Sequence, residues 1–361
     1  MRRKQLSIRL LRHPHVNYLI WSELYYMKKI KLDQMKVLVT SECNLNCTHC
    51  FRSFDKHKYF ISREKLFEIV DYAIETSCES ISFSGGEFFA HPDAFALLDY
   101  CYDKRIKVKL LTNATNIGNF NYYKKYTGTE LLAFQISLDG MRDCHDARRG
   151  QGMFDLVMGN VERLKELDFH ITVSMAVDQD NMYDVLDVLE LRCFDKYNFV
   201  PVAYAGERIK QGKPVINDEL YCEYENIIRL IYNRTVESEN LLDRCRMFPH
   251  QLGIKYDGTV YPCAVTRDYG IFCLGNLNEE PLSDLVDNYI ENEAVKPLLD
   301  YMNNDFDQCR DCSAKDYCNR GCRARAYKFF HDLQERDPFC CKLYEVDFSD
   351  MPINCVFWGE K

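Results

Sequence analysis

The sequence predicts an α/β fold in which parallel strands form a partial barrel, followed by a second, cysteine-rich region. Six short segments rich in Val, Ile, Leu and Phe have the nearly continuous apolar character of parallel strands that are covered on both faces. Four helical segments lie between these strands, and this alternation is typical of parallel α/β units. Cysteine makes up 18 of the 361 residues, and seven cysteines of the second half follow a regular spacing.

The predicted strands cover residues 35–40, 80–84, 107–113, 132–138, 170–177 and 198–204. The predicted helices cover residues 62–77, 92–104, 154–167 and 180–193, and Ser62 and Asp180 are suitable N-cap residues for the first and last of them. Six strands fit a partial (β/α)6 barrel that resembles part of a TIM barrel. In such a barrel the functional site is built from the loops at the carboxyl ends of the strands.

Three cysteines follow the first predicted strand with the spacing C-x3-C-x2-C: Cys43, Cys47 and Cys50. A four-iron cubane normally takes four cysteines, so three of them leave one iron open for a ligand that is not protein. The alternative is a zinc knuckle in which His49 or His57 supplies the fourth ligand.

The second predicted strand runs directly into Gly85-Gly86-Glu87. Two glycines at a strand end allow the backbone to approach a ligand closely, and Glu87 can accept hydrogen bonds from an ammonium group. A plain Gly-Gly turn is the alternative. Because Gly85-Gly86-Glu87 stands at the end of the strand that follows the cysteine triplet, it predicts a ligand site next to the triplet.

With these two motifs the chain resembles the radical S-adenosylmethionine (radical SAM) superfamily. The resemblance implies that the open iron binds the amino and carboxylate groups of SAM and that Gly85, Gly86 and Glu87 hold its methionine amine. It further implies that one electron from the reduced 4Fe-4S cluster cleaves SAM to a 5′-deoxyadenosyl radical, which takes hydrogen from a substrate.

Two later positions carry roles that the same resemblance implies. Ser137 and Arg149 would hold the ribose and the carboxylate of SAM. Asn113, by its position at the end of the third predicted strand and not by the resemblance, is expected to line the pocket. The alternatives are a turn at Asp139-Gly140, a solvated Arg148-Arg149 pair, and a turn cap at Asn113.

The second half contains the series C-x12-G-x4-C, then C-x2-C-x5-C-x3-C and a further cysteine. This series resembles the SPASM domain, a C-terminal extension of peptide-modifying radical SAM enzymes, and the whole resemblance covers roughly residues 35–341. It implies two auxiliary 4Fe-4S clusters. The outer cluster would take Cys309, Cys312, Cys318 and Cys340, with Cys341 as an alternative to Cys340. The inner cluster would take Cys245, Cys263 and Cys322, and Cys273, Cys222 or an open iron would complete it.

The domains are therefore predicted as a basic N-terminal extension at residues 1–34, a radical SAM barrel at residues 35–238 and a SPASM domain with its tail at residues 239–361. The first 36 residues carry nine Lys or Arg and two acidic residues. This extension is interpreted either as a dock for a leader peptide or as a cap on the barrel. Within the SPASM region, residues 254–261 predict a hairpin about Asp257-Gly258, and residues 281–287 predict a helix.

Composition restricts the setting. The net charge of −9 argues against broad nucleic-acid binding. The sequence has no signal peptide and no apolar run of membrane-spanning length, so its eighteen cysteines indicate a reducing cytoplasm rather than disulfides. Zinc remains the competing metal for the C-x2-C cysteines.

The resemblance implies a radical SAM/SPASM enzyme that oxidatively modifies a ribosomally synthesised precursor peptide by crosslinking or dehydrogenation. Its reducing electron donor would be a flavodoxin or ferredoxin. Ala264 stands where sulfatase-maturating relatives carry an Asp, which argues against that branch. The alternatives are an epimerase or dehydrogenase acting on a peptide or on a small molecule such as an amino sugar, and a non-catalytic iron-sulfur or zinc protein that binds a partner.

Overall fold

The computed structural model describes residues 32–50, 57–178, 180–201, 250–263, 272–288 and 322–332, together with residues 266, 312, 335 and 336. The predicted basic extension lies outside these ranges except for its last three residues. Residues 202–204 of the sixth predicted strand, and the predicted ligands Cys245, Cys309, Cys318 and Cys340, also lie outside them, as do Cys222 and Cys341.

Six parallel strands form the sheet that the sequence predicts. Their bounds are β1 Gln34–Leu38, β2 Ser80–Ser84, β3 Lys107–Thr112, β4 Leu132–Ser137, β5 Ile171–Val177 and β6 Lys196–Pro201. Each strand pairs in parallel with the next along the chain. The parallel α/β architecture is therefore confirmed, and the carboxyl ends of all six strands meet at one edge of the sheet.

Three further strands continue this sheet beyond β1. They are β7 Gln251–Ile254, β8 Thr259–Tyr261 and β9 Gly275–Asn276. β7 runs parallel to β1, while β8 pairs antiparallel with β7 and β9 pairs antiparallel with β8. The predicted hairpin about Asp257-Gly258 is thus confirmed. The described part of the cysteine-rich region therefore pairs, through β7, with β1, the strand that precedes the cysteine triplet.

Eight α-helices lie in the described part of the chain. They are α1 Arg63–Glu75, α2 Ala94–Asp103, α3 Phe120–Tyr123, α4 Arg142–Arg149, α5 Met153–Glu166, α6 Asp184–Glu190, α7 Leu282–Asp287 and α8 Arg323–Phe330. Ser62 is the N-cap of α1, as predicted, because its side chain accepts a hydrogen bond from the Lys65 N–H. In the ranges described here, no helix has the length and apolar character needed to cross a membrane.

Two details of the helix prediction were wrong. Asp180 does not cap α6, which begins four residues later, because the Asp180 N–H is bonded to the Asp178 side chain in a turn. α4 was not predicted as a helix, since its sequence is almost entirely polar. Its buried side chains are nevertheless His145, Asp146 and Arg148.

The two faces of the sheet differ, which corrects the expectation that both faces are apolar and covered. In β1, β3 and β4, buried residues alternate with more exposed ones. The apolar face includes Met35, Phe83, Leu110, Phe134 and Val173, which are at most marginally exposed. Gln34, Lys36, Ser82, Lys109 and Gln135 alternate onto the other side, named here the polar face. Helix side chains share one core with the apolar face, so the polar face is the inner side of the partial barrel.

Candidate functional site

The cysteine triplet lies at the carboxyl end of β1, where the sequence predicts it. Cys43, Cys47 and Cys50 are half-buried and form no disulfide with a described residue. The loop that carries them is bonded within itself, from the Cys50 N–H to the Cys47 carbonyl at 3.2 Å. It is also bonded to the end of α4, from the Thr48 N–H to the Arg148 carbonyl at 3.1 Å.

The two glycines of Gly85-Gly86-Glu87 are needed for packing against the start of the cysteine loop. A Cβ on Gly85 would lie 2.5 Å from the Thr40 carbonyl oxygen, and one on Gly86 would lie 2.2 Å from the Glu42 carbonyl oxygen. The Gly86 N–H donates to the Thr40 carbonyl and the Glu87 N–H donates to the Glu42 carbonyl, both at 2.8 Å. The close approach seen here is to the chain that leads into the triplet, whereas the approach expected from the sequence was to a ligand and stays a prediction.

The Glu87 carboxylate is directed into the protein. It is 3% exposed and accepts hydrogen bonds from the Thr112 hydroxyl at 2.7 Å, the Asn113 N–H at 2.8 Å and the Phe89 N–H at 3.3 Å. Burial raises the pKa of the Glu87 carboxyl, although these donors act in the opposite direction. The side chain thus joins the ends of β2 and β3, and this internal role was not predicted from the sequence.

Asn113 donates to the first cysteine of the triplet. Its Oδ1 accepts from the Thr115 N–H at 3.0 Å, so its Nδ2 must face the other way. There Nδ2 lies 2.9 Å from the Asn44 Oδ1 and 3.7 Å from the Cys43 Sγ. The Leu45 N–H lies 3.4 Å from the same sulfur. These donors would stabilise a thiolate at Cys43.

Asp139 is the centre of a buried charge network beside the triplet. Its side chain is fully buried, and its Oδ2 lies 2.6 Å from Arg149 Nε, 3.2 Å from His49 Nε2 and 3.9 Å from Arg148 Nε. Burial alone would raise the pKa of Asp139, but Arg149, His49 and Arg148 outweigh it and hold that pKa well below its usual range. Asp139 therefore links β4, α4 and the cysteine loop.

Arg148 and Arg149 are not the solvated pair that the alternative interpretation described. Arg148 is buried and its Nη1 contacts both carboxylate oxygens of Asp178 at 3.0 Å. Arg149 uses Nε for Asp139, and its positive charge lies near Cys47. Burial raises the pKa of the Cys47 thiol to about 11, while Arg149 acts to lower it. Arg149 thus provides the positive charge that an anionic thiolate site needs.

The histidines considered for zinc have other contacts. His49 Nε2 lies against Asp139, and the ring of His57 packs edge-on to Tyr59 at 6.1 Å between centroids. Within the described part of the chain, no three His, Cys, Asp or Glu side chains are grouped so as to hold a single metal ion. The sequence suggested His49 only as a zinc ligand. In the structure its Nε2 contacts the Asp139 carboxylate instead.

The remaining predicted residues are only partly described. Ser137 is half-buried at the end of β4, on the polar face. Cys263 follows β8 and is buried, with its sulfur 2.8 Å from the Gln251 Nε2. Cys312 and Cys322 are half-buried and form no disulfide with a described residue, and the Cys273 thiol donates to the Gly275 carbonyl at 3.6 Å.

Comparison with known proteins agrees with both halves of this architecture. The family model described as the radical SAM superfamily matches residues 37–192, and the SPASM model, described as an iron-sulfur cluster-binding domain, matches residues 245–313. Fe-coproporphyrin III synthase of Methanosarcina barkeri is 25% identical over 88% of this chain and 90% of its own length.

Two further proteins are similar. The antilisterial bacteriocin subtilosin biosynthesis protein AlbA of Bacillus subtilis is 30% identical over 66% of this chain and 56% of its own length. The crystal structure of Streptococcus suis SuiB bound to precursor peptide SuiA superposes with a TM-score of 0.66, covering 92% of this chain and 82% of that chain at 16% identity. This structural likeness shows a shared fold.

Replacing Gly86 by Ala should destabilise the protein and loosen the cysteine loop, because the added methyl would collide with the Glu42 backbone. We expect a loss of roughly 1–3 kcal/mol in the free energy of unfolding, measured by urea denaturation. Gly159→Ala is the matched control, since open space surrounds that position within α5. Alanine there should be neutral or stabilising by up to about 1 kcal/mol. Equal effects of the two changes would contradict this interpretation.

Replacing Asp139 by Asn should remove the one negative charge that contacts Arg149, Arg148 and His49 together. Loss of one partner from a buried ion pair costs about 3–5 kcal/mol, and urea denaturation measures this cost. The control is Asp155→Asn, which breaks an exposed pair with Arg142 and should leave stability unchanged. A mild effect of Asp139→Asn would mean that the network does not hold the loop.

Proposed function

Because this chain belongs to the radical SAM superfamily and carries a SPASM domain, we propose that it reductively cleaves S-adenosylmethionine and uses the radical to oxidise a substrate. Its cofactors are 4Fe-4S clusters and SAM. The observation that carries this proposal is the half-buried thiol triplet, fixed at the carboxyl edge of the sheet beside a buried arginine.

Cys43, Cys47 and Cys50 would hold the SAM-binding cluster. The residues suit such a group: the Cys43 sulfur has N–H donors, Arg149 lies near Cys47, and the loop is bonded to α4. When bound and reduced, that cluster supplies the electron that breaks the carbon-sulfur bond of SAM. The chain's own part is to keep three thiolates together while one coordination position stays open.

Arg149 is proposed as the residue that binds the SAM carboxylate. Its Nε is used by Asp139, and no hydrogen bond to the described residues uses its two Nη groups. They can therefore form a charge-assisted pair with a carboxylate. Asp139 fixes the direction of the guanidinium. Ser137, the last residue of β4 and two residues before Asp139, is proposed to bind the ribose.

Gly85, Gly86, Glu87 and Asn113 are proposed to form the rest of the SAM pocket. The contacts of Glu87 with Thr112 and Asn113 occupy most of its carboxylate, so contact with the methionine amine would fall mainly to backbone carbonyls of this segment. Its side chain acts by holding the ends of β2 and β3 together. Asn113 caps a turn through its Oδ1, which accepts from the Thr115 N–H, and would also act on the Cys43 sulfur through its Nδ2.

For the auxiliary clusters we keep the assignment that the SPASM resemblance implies. Cys309, Cys312, Cys318 and Cys340 would hold one cluster, and Cys245, Cys263 and Cys322 the other. Auxiliary clusters can accept an electron from a substrate radical, which suits a net two-electron oxidation. The reducing electron donor would be a flavodoxin or ferredoxin, and the lack of disulfides among the described cysteines suits a reducing compartment such as the cytoplasm.

A ribosomally synthesised peptide is the proposed substrate, modified by crosslinking or dehydrogenation. AlbA is named for bacteriocin biosynthesis and the SuiB structure is of a complex with a precursor peptide. A porphyrin is the second candidate, because Fe-coproporphyrin III synthase aligns with 88% of this chain and 90% of its own length, whereas AlbA aligns over only 56% of its length.

SAM cleavage tests the proposed reaction. Anaerobically reconstituted protein with dithionite and SAM should release 5′-deoxyadenosine, measured by liquid chromatography and mass spectrometry. Cys47→Ala should release none, because two thiolates do not hold the cluster in the required geometry. Cys193→Ala, a half-buried cysteine outside the motifs, is the control and should retain the release. A wild-type protein loaded with iron that releases no 5′-deoxyadenosine would refute the proposal and favour a non-catalytic iron-sulfur protein.

Substrate class can be tested by mass. A precursor peptide encoded beside this chain should lose two hydrogens for each modification when co-expressed with it, and should stay unchanged with the Cys47→Ala variant. Unchanged mass with deuterium taken up from solvent would instead indicate epimerisation. An unmodified peptide, together with a mass change in an added porphyrin, would exclude the peptide and favour the second candidate.

A further inference from the structure

The polar face of the sheet carries three lysines that approach one another. Strand register places Lys36 beside Ser82 and Ser82 beside Lys109, so both lysines lie in one row and about 10 Å apart at their backbones. Lys196 pairs with Thr172 of β5, which also lies on the polar face, so Lys196 lies on that face as well. About three strand spacings, or roughly 14 Å along the sheet, separate β3 from β6.

The inner face of a partial barrel is concave, so side chains from separated strands of that face point toward a common interior. Burial lowers the pKa of Lys109, and the positive charges of Lys36 and Lys196 lower it further. Lys36 and Lys109 are half-buried and Lys196 is exposed, and all three alternate onto the same face of the sheet. The three cations therefore share one region of the polar face.

Within strands β1–β6, no acidic residue alternates onto the polar face to balance these charges. Apart from the lysines, the residues of β1–β6 that alternate onto this face are neutral, and they include Gln34, Ser82, Gln135, Thr172, Ser174 and Asn198. Among the described residues, no hydrogen bond or ion pair involves the amines of Lys36, Lys109 or Lys196. By contrast Lys107, two residues before Lys109 and on the same face, pairs with Glu130 at 2.7 Å.

From this arrangement we infer that Lys36, Lys109 and Lys196 form a binding site for carboxylate groups of the substrate. Lys36 and Lys109 are half-buried, and a half-buried cation without a partner is costly until an incoming anion removes that cost; the exposed Lys196 adds positive charge on the same face. Lysine acts as a compact point charge that suits carboxylates in varied orientations. This inference rests on the proposed function, since it names the chemistry of the substrate that the same barrel would hold.

The position of the lysines fits a substrate that reaches from the inside of the barrel to the cysteine loop. Lys109 precedes Asn113 by four residues, so it lies about 13 Å below the strand end at which Asn113 contacts Cys43. A peptide of a few residues or a porphyrin macrocycle can span this distance. Acidic side chains of a peptide and propionates of a porphyrin offer the same carboxylate chemistry.

Binding of charged and neutral probe pairs tests the inference. Coproporphyrin, with four carboxylates, would be compared with its tetramethyl ester, and an eight-residue peptide of alternating Glu and Gly with its Gln counterpart. Fluorescence titration of the reconstituted full chain would measure each dissociation constant. We expect at least one carboxylate probe to bind roughly tenfold tighter than its neutral counterpart. Whichever of coproporphyrin and the Glu peptide binds more tightly identifies the source of the carboxylates.

Single variants locate the site. Lys109→Gln and Lys36→Gln should each weaken binding of that probe roughly tenfold, and more salt should weaken binding by the wild-type protein. Lys107→Gln is the matched control on the same strand and face, and should change the affinity less than twofold because its amine is already paired. Thermal unfolding of each variant checks that it is folded.

Several outcomes would overturn the inference: no binding of either carboxylate probe, equal affinity for charged and neutral probes, or equal effects of Lys107→Gln and Lys109→Gln. Release of 5′-deoxyadenosine by the same wild-type preparation separates this failure from failure of the proposed function. A preparation that cleaves SAM but binds no carboxylate probe refutes only the lysine site. A preparation that does not cleave SAM refutes the proposed function itself.

Discussion

The site depends on the close contact between two backbone segments at the carboxyl edge of the sheet. The chain leaving β1 and the chain leaving β2 approach so closely that a single methyl group on Gly85 or Gly86 would overlap a carbonyl of the other segment. Hydrogen bonds from the Gly86 and Glu87 N–H groups to the Thr40 and Glu42 carbonyls hold this contact. Cys43 directly follows Glu42, the last residue in this contact, so the packing of the two strand ends determines the position of the first thiol.

A second constraint acts on the far side of the loop. Asp139 is buried among His49, Arg148 and Arg149, and Arg148 is paired with the buried Asp178. Buried ion pairs contribute little net stability, but each remaining charge becomes costly when one partner is lost. The network therefore favours one arrangement of β4, β5, α4 and the cysteine loop. A site that must keep three thiolates together and one metal position open benefits from such fixed geometry.

Much of this architecture could be predicted from the sequence because the relevant signals are local. Apolar runs define β1–β6, Ser62 marks the start of α1, and Asp257-Gly258 determines the hairpin. The cysteine spacing and Gly85-Gly86 likewise lie in short segments. The parts that were missed depend on tertiary context: α4 is polar in sequence but buried, and Asp180 lost its capping role to a turn set by Asp178. Similarly, the apolar runs concealed the alternation that gives the sheet a lysine-bearing face.

The central claim is that the triplet beside Arg149 holds an iron that binds SAM directly. Electron paramagnetic resonance of the anaerobically reduced, reconstituted protein tests this claim most directly. In a protein whose Cys309 and Cys263 are replaced by Ala to remove the proposed auxiliary clusters, one 4Fe-4S signal should remain, and its shape should change when SAM is added. A remaining iron-sulfur signal that does not respond to SAM, or zinc in place of iron at the triplet, would contradict the account.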